Sequence, residues 1–513
     1  MNRKICALTI ATAAILAAGP SDSSAGEAGS PEPARLPGPT PLAAQEENDD
    51  PTSSGGWGEW PEEDRTAPEA GGAEGGAGFS DTGGGFSQDS FSAYGYIETT
   101  ATARLDEKAQ AEPQLGARTR ARLKSEWTPQ PEITARVETV YDYRTGIANE
   151  TVLASALGLN PALAYQAQDP NDDYLSAFEV DHAWASVNLE RMDLSLGKLP
   201  IAWGSGYVFN PTDHLNAAGS LEGRDAETPG TVAFVPTVYL GGQWALGGYM
   251  AFEQKGVGAS ALEGSAEPEN LPYGLRLRGY AAGFDLSVTV AKEVRYTGAP
   301  GGYASGETGN PVPAESYERR HFLGLDAVGT VGNVGVYAET SFTAPQEGND
   351  VDFSAGYDPD EALAAAVGLE YTFSDGWSAG GLSVKAEYAH LGSGAERTSD
   401  YEVERLLDGS AITLAEDYLF LYASRTCIDF LELTLSSLVN LNDASALLTP
   451  EATYSFLDNF EGSVSVTLPF GKKGTEFDGR IENATPPAGT TETARPSLDL
   501  YEPEVSLSVK ASF

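Results

Sequence analysis

The sequence is short of cysteine, of positive charge and of long apolar runs, and each shortage excludes a class of protein. Its two cysteines, Cys6 and Cys427, can build neither a disulfide framework nor a cysteine metal cluster. Only 31 Lys and Arg stand against 75 Asp and Glu, a net charge of -44, which excludes a basic nucleic-acid binder. Beyond the N-terminus no apolar run reaches ~18 residues, so helical membrane spans are excluded there.

The N-terminal 89 residues are predicted to lie outside the folded domain. Arg3 and Lys4 precede an apolar run over 5–18, and small residues follow at 23–25, as in an export signal. At ~1.5 Å per residue this run spans ~21 Å, short of the ~30 Å hydrocarbon core, which favours a cleaved signal peptide over 1–25. Residues 26–89 are rich in Pro, Gly, Ser and acid and have little apolar surface to bury, so we expect a disordered acidic tether.

From residue 90 onward the dominant pattern is alternation of apolar and polar residues. Over 115–127 the odd positions are mostly apolar, while four even positions carry cations: Arg118, Arg120, Arg122 and Lys124. A period of two places all four cations on one face of a β-strand. The same alternation recurs over 133–141, 284–290, 382–388 and 505–513, and Gly 58 with Pro 31 supplies many turns.

The spacing of these segments predicts the architecture. We count about eighteen of them, and tight connections take turns with long ones along the chain, with a short exception at 441–444. Short turns at one end and long loops at the other are typical of transmembrane barrels with an even strand number. We therefore predict an all-β fold for 90–513, a transmembrane antiparallel β-barrel of about 16–18 strands, wide enough to leave an aqueous channel.

The last strand adds a resemblance to a known class. Residues 501–513 alternate from Tyr501 through Val509 and end on the aromatic Phe513. This end resembles the C-terminal assembly signal of Gram-negative outer-membrane barrels. The resemblance implies insertion by the outer-membrane assembly machinery, a location in the bacterial outer membrane, and contact with its lipid and lipopolysaccharide.

A second resemblance covers about twenty residues, around the passage GKLPIAWGSGYVFNPTD at 197–213. It is similar to the strand-to-loop passage of porin-like barrels of unknown function. Physically, Gly204 and Gly206 permit a sharp bend, and 210–213 form a turn motif. The loop either folds into the lumen as a constriction or packs on the surface; the candidate constriction residues are Trp203, Gly204, Asn210, Pro211 and Asp213.

The inward-facing cations bear on transport. By parity, Arg118, Arg120, Arg122, Lys124, Arg136, Arg276 and Arg278 face the lumen, where they cost least, since an Arg facing lipid near the midplane costs ~2 to 4 kcal/mol. If water solvates this pore-lining basic ladder, it concentrates anions. The alternative is that the cations pair with wall carboxylates such as Glu98, Glu138 and Asp142 and only stiffen the barrel.

Signals for chemistry are poor. The segment Gly376–Gly380 fits a nucleophile-elbow pattern by letter but has no helix after it. Asp169, Asn171 and Asp173 have the opening spacing of a calcium loop, yet Tyr174 stands where the sharp turn needs Gly. We therefore expect no enzyme, no metal and no cofactor, and predict a porin-like channel that passes or exports small hydrophilic, including anionic, solutes. A surface adhesin or structural barrel and an outer-membrane lipid hydrolase are the alternatives, and a homo-oligomer is left open.

Overall fold

The fold is described from a computed structural model of the chain. It describes residues 86–88, 90–105, 114–147, 174–215, 228–253, 255–256, 268–296, 303–305, 311–313, 317–347, 350–351, 362–373, 381–402, 411–428, 430–478 and 501–513. The predicted signal peptide lies outside these residues. Of the predicted tether only Phe86–Gln88 is described, and it forms a short ladder with 91–93 at the start of the first long strand.

Long antiparallel strands make up nearly all of the described fold. They are β1 (Phe91–Arg104), β2 (Gln114–Gln130), β3 (Ile133–Gly146), β4 (Tyr174–Leu189), β5 (Met192–Pro200), β6 (Gly230–Gly241), β7 (Trp244–Ala251), β8 (Tyr273–Ala281), β9 (Phe284–Tyr296), β10 (Tyr317–Val331), β11 (Val334–Glu347), β12 (Leu363–Phe373), β13 (Leu382–Leu391), β14 (Asp417–Ile428), β15 (Leu431–Asn440), β16 (Ser445–Leu457), β17 (Phe460–Phe470) and β18 (Glu504–Ser512). Short ladders occur at Lys255–Gly256, Tyr303–Ser305 with Pro311–Pro313, and Asp350–Val351. In the described residues, 3-10 turns occur at Pro268–Asn270, Thr398–Asp400 and Glu476–Asp478.

The strands close into a barrel. Each long strand pairs with the next one along the chain, and β18 pairs back to β1, so that Thr99 lies opposite Thr119 on one side and Val509 on the other. At the seam, Gly95 and Phe513 exchange two backbone hydrogen bonds of 2.9 Å. Closure leaves no unpaired sheet edge along the wall. The predicted all-β antiparallel barrel is confirmed, with 18 strands.

The two faces of the wall differ as the alternation predicts. On β8, Leu275 and Leu277 point outward and are 52% and 36% exposed, while Arg276 between them points inward and is 8% exposed. Large apolar side chains are exposed in the same way around the outer wall, for example Phe178, Leu196, Val367 and Leu507. No helix in the described residues is both long and apolar enough to cross a membrane.

The two ends of the barrel differ in their connections. At the turn end, two-residue turns join β2 to β3, β4 to β5, β6 to β7, β8 to β9 and β10 to β11. At the loop end most connections are long, with the predicted short exception at 441–444 between β15 and β16. Strand β2 runs on to Gln130 through a bulge between Trp127 and Gln130, and the chain then turns at 131–132.

Candidate functional site

A segment of the chain lies inside the barrel. Residues 201–215, here called the inner loop, follow β5 at the loop end and are largely buried: Trp203 is 4% exposed, Val208 1% and Phe209 3%. Their partners are inward-facing side chains of distant strands. The passage that resembles porin-like barrels therefore lies against the inner wall of the barrel.

Two carboxylates hold the backbone of the inner loop. Glu339 on β11 accepts hydrogen bonds from the amides of Ser205 (3.3 Å) and Gly206 (3.1 Å). Glu387 on β13 accepts from the next three amides, those of Tyr207 (2.5 Å), Val208 (3.0 Å) and Phe209 (2.8 Å). Five consecutive amides thus bond to two buried carboxylates, which satisfies backbone donors that would be costly to bury unpaired.

Side-chain hydroxyls complete both anchors. The Thr212 hydroxyl donates to Glu339 (2.7 Å), and the Tyr337 hydroxyl donates to Glu387 (2.5 Å). Gly206 allows this close approach, because a Cβ there would lie 1.8 Å from the Phe209 carbonyl oxygen and 2.7 Å from Glu339 Oε1. Gly204 has a φ of 115°, a conformation that favours glycine.

Apolar packing follows the same path along the wall. Trp203 meets Tyr249 on β7 edge-on, with ring centroids 4.8 Å apart. Farther along the loop, Tyr207 and Phe209 stack on two rings of β14, Phe420 and Tyr418, at 5.6 Å and 5.5 Å. The contacts therefore run from β7 to β14, and the inward faces of β6–β14 are here called the covered wall.

The candidate constriction residues all belong to the inner loop, in two groups. Trp203 is buried and Gly204 lies next to the Glu339 anchor. Asn210, Pro211 and Asp213 form a turn in which the Asp213 amide donates to the Asn210 carbonyl oxygen (3.0 Å). Next to this turn, burial lowers the pKa of His214 to about 3, and the Arg320 charge acts in the same direction, so the ring stays neutral at neutral pH.

The predicted cation ladder contacts carboxylates along β3 and β4. Arg118 bonds to Asp142 (2.6 Å), which also bonds to Arg144 (2.8 Å). Arg122 bridges Glu138 (2.8 Å) and Asp181 (2.6 Å). Close opposite charges stabilise one another inside the wall, so these contacts agree with the mixed-charge alternative for this part of the ladder.

The other cations of the set also face carboxylates. Arg136 lies 2.6 Å from Glu138. In the strand register Arg120 lies opposite Glu98 and Asp142, and Lys124 lies opposite Glu138. On the covered wall Arg276 bonds to Asp326 (3.0 Å), and Arg278 bonds to Asp285 on the neighbouring strand.

Exposure separates the ladder into two kinds of cation. The Arg122 side chain is 1% exposed, so it is part of the packed wall and does not face the lumen. The Arg118 and Arg136 side chains are 25% and 27% exposed, whereas their partners Asp142 and Glu138 are each 2% exposed. At these two positions the cation lies nearer the lumen than its counter-ion does.

Hydroxyl groups line the part of the wall next to the ladder. Across β17, β18 and β1 the register aligns Ser463 with Ser508 and Thr100, and Ser465 with Ser506 and Thr102, all partly exposed. The inward faces of β16–β18, β1 and β2 are here called the open wall. Its Ser and Thr side chains bond to one another and to a carboxylate: Thr100 donates to Ser508 (3.1 Å), Ser508 donates to Glu98 (2.9 Å), and Thr102 pairs with Ser506 (3.0 Å).

A buried carboxylate, Glu476, also links different parts of the chain at the loop end of β14–β17. Glu476 accepts hydrogen bonds from the Tyr418 hydroxyl (2.6 Å), Asn440 Nδ2 (2.7 Å) and the Leu414 amide (2.9 Å). Burial raises the pKa of Glu476 to about 7, against the lowering effect of these three bonds. Glu476 and its three donors, here called the Glu476 knot, thus join the connections that follow β13 and β17.

Sequence reasoning missed the two anchors, Glu339 and Glu387. In the register Glu387 lies between Gly368 and Phe420, and Glu339 between Asp326 and Ala366. An inward carboxylate with no cation directly opposite it on either neighbouring strand needs donors from elsewhere, and that is the signal by which both could have been found. The nucleophile-elbow pattern at 376–380 and the calcium-like spacing at 169–173 lie outside the described residues.

The residues of the predicted assembly signal lie at the seam and at the loop end. Phe513 closes the barrel against Gly95, Val509 points outward, and Tyr501 packs edge-on against Phe477 at 5.1 Å. Their role in assembly stays a prediction.

Comparison with known proteins finds chains similar to this one among the solved structures. No protein-family model and no curated protein matches the sequence. Solved structures that are similar include OccAB4 of Acinetobacter baumannii (10% identity, 83% of this chain and 98% of that chain, TM-score 0.45) and OmpTdeltaL8, an outer membrane protein of Vibrio cholerae (10%, 82% and 99%, 0.37). A mutant of Rh. blastica porin is similar over 82% of this chain and all of its own (11%, 0.36). Similarity at this level assigns neither an activity nor a solute to this chain.

Proposed function

We propose that the protein is a porin-like channel of the bacterial outer membrane that passes or exports small hydrophilic solutes. One observation carries the proposal: a closed 18-strand barrel holds the inner loop against one side of its interior through Glu339 and Glu387. Barrels of 16 to 18 strands leave an aqueous channel unless something fills them. The loop narrows the lumen on the side of the covered wall and leaves the open wall accessible to solute.

The membrane part of the proposal rests on the outer face. Large apolar side chains exposed all around a barrel have no stabilising environment in water, and a bilayer provides one. Export by a cleaved signal peptide, insertion by the outer-membrane assembly machinery through Phe513, and contact with lipid and lipopolysaccharide belong to the same proposal. A homo-oligomer is compatible with it.

The inner loop is the proposed constriction. It is anchored to the wall by five backbone hydrogen bonds to buried carboxyl oxygens, and these amides would be costly to leave unpaired there. Solute therefore passes between the turn at 210–213 and the open wall. The paired charges of the ladder predict only a modest preference for anions over cations, because carboxylates compensate most of the cations.

Planar-bilayer conductance of the refolded protein tests the proposal. We expect stable open channels for the wild type. We expect a conductance at least about twofold higher for Glu339→Ala combined with Glu387→Ala, because five unsatisfied amides no longer hold the loop on the wall. The matched control is Glu451→Ala, which removes a partly exposed inward carboxylate of the open wall and should leave the size of the current unchanged.

The outcomes separate the alternatives. A wild-type protein that is folded, heat-resistant and never conducts would contradict the channel and favour the adhesin or structural barrel. Hydrolysis of lipid in the same preparation would reveal a hydrolase. If the double variant has the same conductance as the wild type, the channel proposal stands, but the inner loop is not its constriction.

A further inference from the structure

We propose that the Glu476 knot makes the width of the constriction depend on pH: while Glu476 is protonated the knot supports the inner loop through Tyr418, and ionisation of Glu476 removes this support. The inference rests on the proposed channel and names the regulation of its constriction. It depends on two features of the described residues, a direct series of contacts from the knot to the inner loop and a buried carboxyl group that has no cation beside it.

The series of contacts passes through a single side chain. The Tyr418 hydroxyl on β14 donates to Glu476 (2.6 Å) and accepts from the Ala415 amide (2.6 Å). The ring of Tyr418 stacks on Phe209 of the inner loop, with centroids 5.5 Å apart. Tyr418 therefore bonds to the knot with its hydroxyl and supports the inner loop with its ring.

The apolar packing around Tyr418 joins the same two parts of the molecule. One hydrophobic cluster contains Val208 and Phe209 of the inner loop together with Leu414 and Phe477, which adjoin the knot. Tyr418 and Phe477 are both 0% exposed. Because close-packed interiors transmit displacements, water that enters the cluster when the knot opens also loosens the packing of the inner loop.

The knot has little to stabilise a negative charge on Glu476. The side chain is 0% exposed, and among the described residues no Lys or Arg forms an ion pair with it. The charged group nearest to it is another carboxyl, because the Glu476 amide donates to Asp443 (2.7 Å). The other titratable groups that face it are the hydroxyls of Tyr401, Tyr418 and Tyr501, while Lys472 and Lys473 of its own connection are exposed to solvent. Burial beside a like charge favours the protonated form.

The sign of the effect follows from proton linkage. Burial raises the pKa of Glu476 to about 7, and the charge of Asp443 acts in the same direction. The closed knot therefore binds the proton more tightly than the opened knot, whose carboxyl has its ordinary pKa of 4.5 in water. As the pH rises through ~7, the equilibrium shifts towards the opened knot by about 300-fold in total. The tyrosine hydroxyls stay neutral over this range.

Single-channel currents of the refolded protein between pH 5 and pH 9 measure the effect. Potassium chloride at 1 M shortens the screening length to ~3 Å, so that charges on the lumen wall change the current little. Neutral polyethylene glycols of graded size report the width of the pore independently of charge. For the wild type we expect the ratio of time in the wider state to time in the narrower state to rise about tenfold or more from pH 5 to pH 8 and then to level off.

Two variants and a matched control identify the titrating group and the link. Glu476→Gln keeps the shape of the side chain without its charge, so the pore should keep its low-pH width at every pH. Tyr418→Phe keeps the ring on Phe209 and removes the bond to Glu476, so most of the pH response should disappear. The control is Glu451→Gln, which neutralises a partly exposed carboxyl of the open wall and should keep the wild-type response.

The outcomes separate this inference from the channel itself. A wild-type width that does not change with pH, or a change that persists in Glu476→Gln, overturns the inference and leaves the channel standing. Absence of current at every pH contradicts the channel. If Glu476→Gln does not fold, Tyr418→Phe decides, because a full wild-type response there also overturns the inference.

Discussion

The covered wall and the open wall are both built from alternating strands, yet the inward face of the first packs against the inner loop while that of the second faces the lumen. On the covered wall, the inward residues that contact the inner loop include small, aromatic and acidic side chains, as in Ala366, Tyr418 and Glu387, and these are buried. On the open wall, the inward Ser and Thr side chains of β17, β18 and β1 stay partly exposed. The difference teaches that period-two alternation defines which side chains face inward, and that the partners of those side chains decide whether they pack or meet water.

The boundary between packed and lumen-facing side chains also runs through the ladder itself, and a pair of matched substitutions tests it. Arg122→Met should lower the free energy of unfolding by about 3 to 5 kcal/mol, because it leaves Glu138 and Asp181 with less compensation inside the wall. Arg118→Met should cost less than about 1 kcal/mol, since its side chain is 25% exposed and water screens it. Urea unfolding of both variants in lipid vesicles measures the difference. Equal losses would mean that exposure does not divide the ladder.

The barrel could be predicted from the sequence because its signal is local. Alternation over 115–127 places Arg118 and Arg122 on the inward face, and the closing strand repeats the same period. Whether an inward residue is exposed depends on neighbours two strands away, as Asp181 on β4 is to Arg122 on β2. The alternation in the sequence does not show which side chains on strands two apart will meet.

The inner loop illustrates the same limit more strongly. The passage at 197–213 marked it as unusual, but its position depends on Glu387, which lies 178 residues beyond Phe209 in the chain. Only the closed barrel brings the two together. The glycines at 204 and 206 predict a bend, and Gly206 also allows the backbone to approach Glu339.

The Glu476 knot predicts a pH dependence at the loop end of the barrel. Because the folded pKa of Glu476, about 7, lies above its ordinary value of 4.5, the folded loops bind the proton more tightly than the open ones. The stability of the knot is therefore highest at or below pH ~4.5, falls as the pH rises towards ~7, and is constant above that, a total loss of roughly 3 kcal/mol. The protection factor of the Leu414 amide, which corrects the exchange rate for its base-catalysed rise with pH, should fall over this range. In Glu476→Gln the protection factor should stay constant; if it still falls there, another group titrates.

The smallest expected effect compares one substitution on the two walls. Thr212→Val removes the hydroxyl that donates to the buried Glu339 side chain at 2.7 Å, so it should cost about 1 to 3 kcal/mol, the range for a buried polar group that loses its partner. Thr102→Val removes a hydroxyl that water can replace on the open wall, and its cost should stay within about 0.5 kcal/mol. Both changes keep the shape of the side chain, so packing contributes little to either value. Urea unfolding measures both, and a cost at Thr102 as large as that at Thr212 would mean that the open wall is not in contact with water.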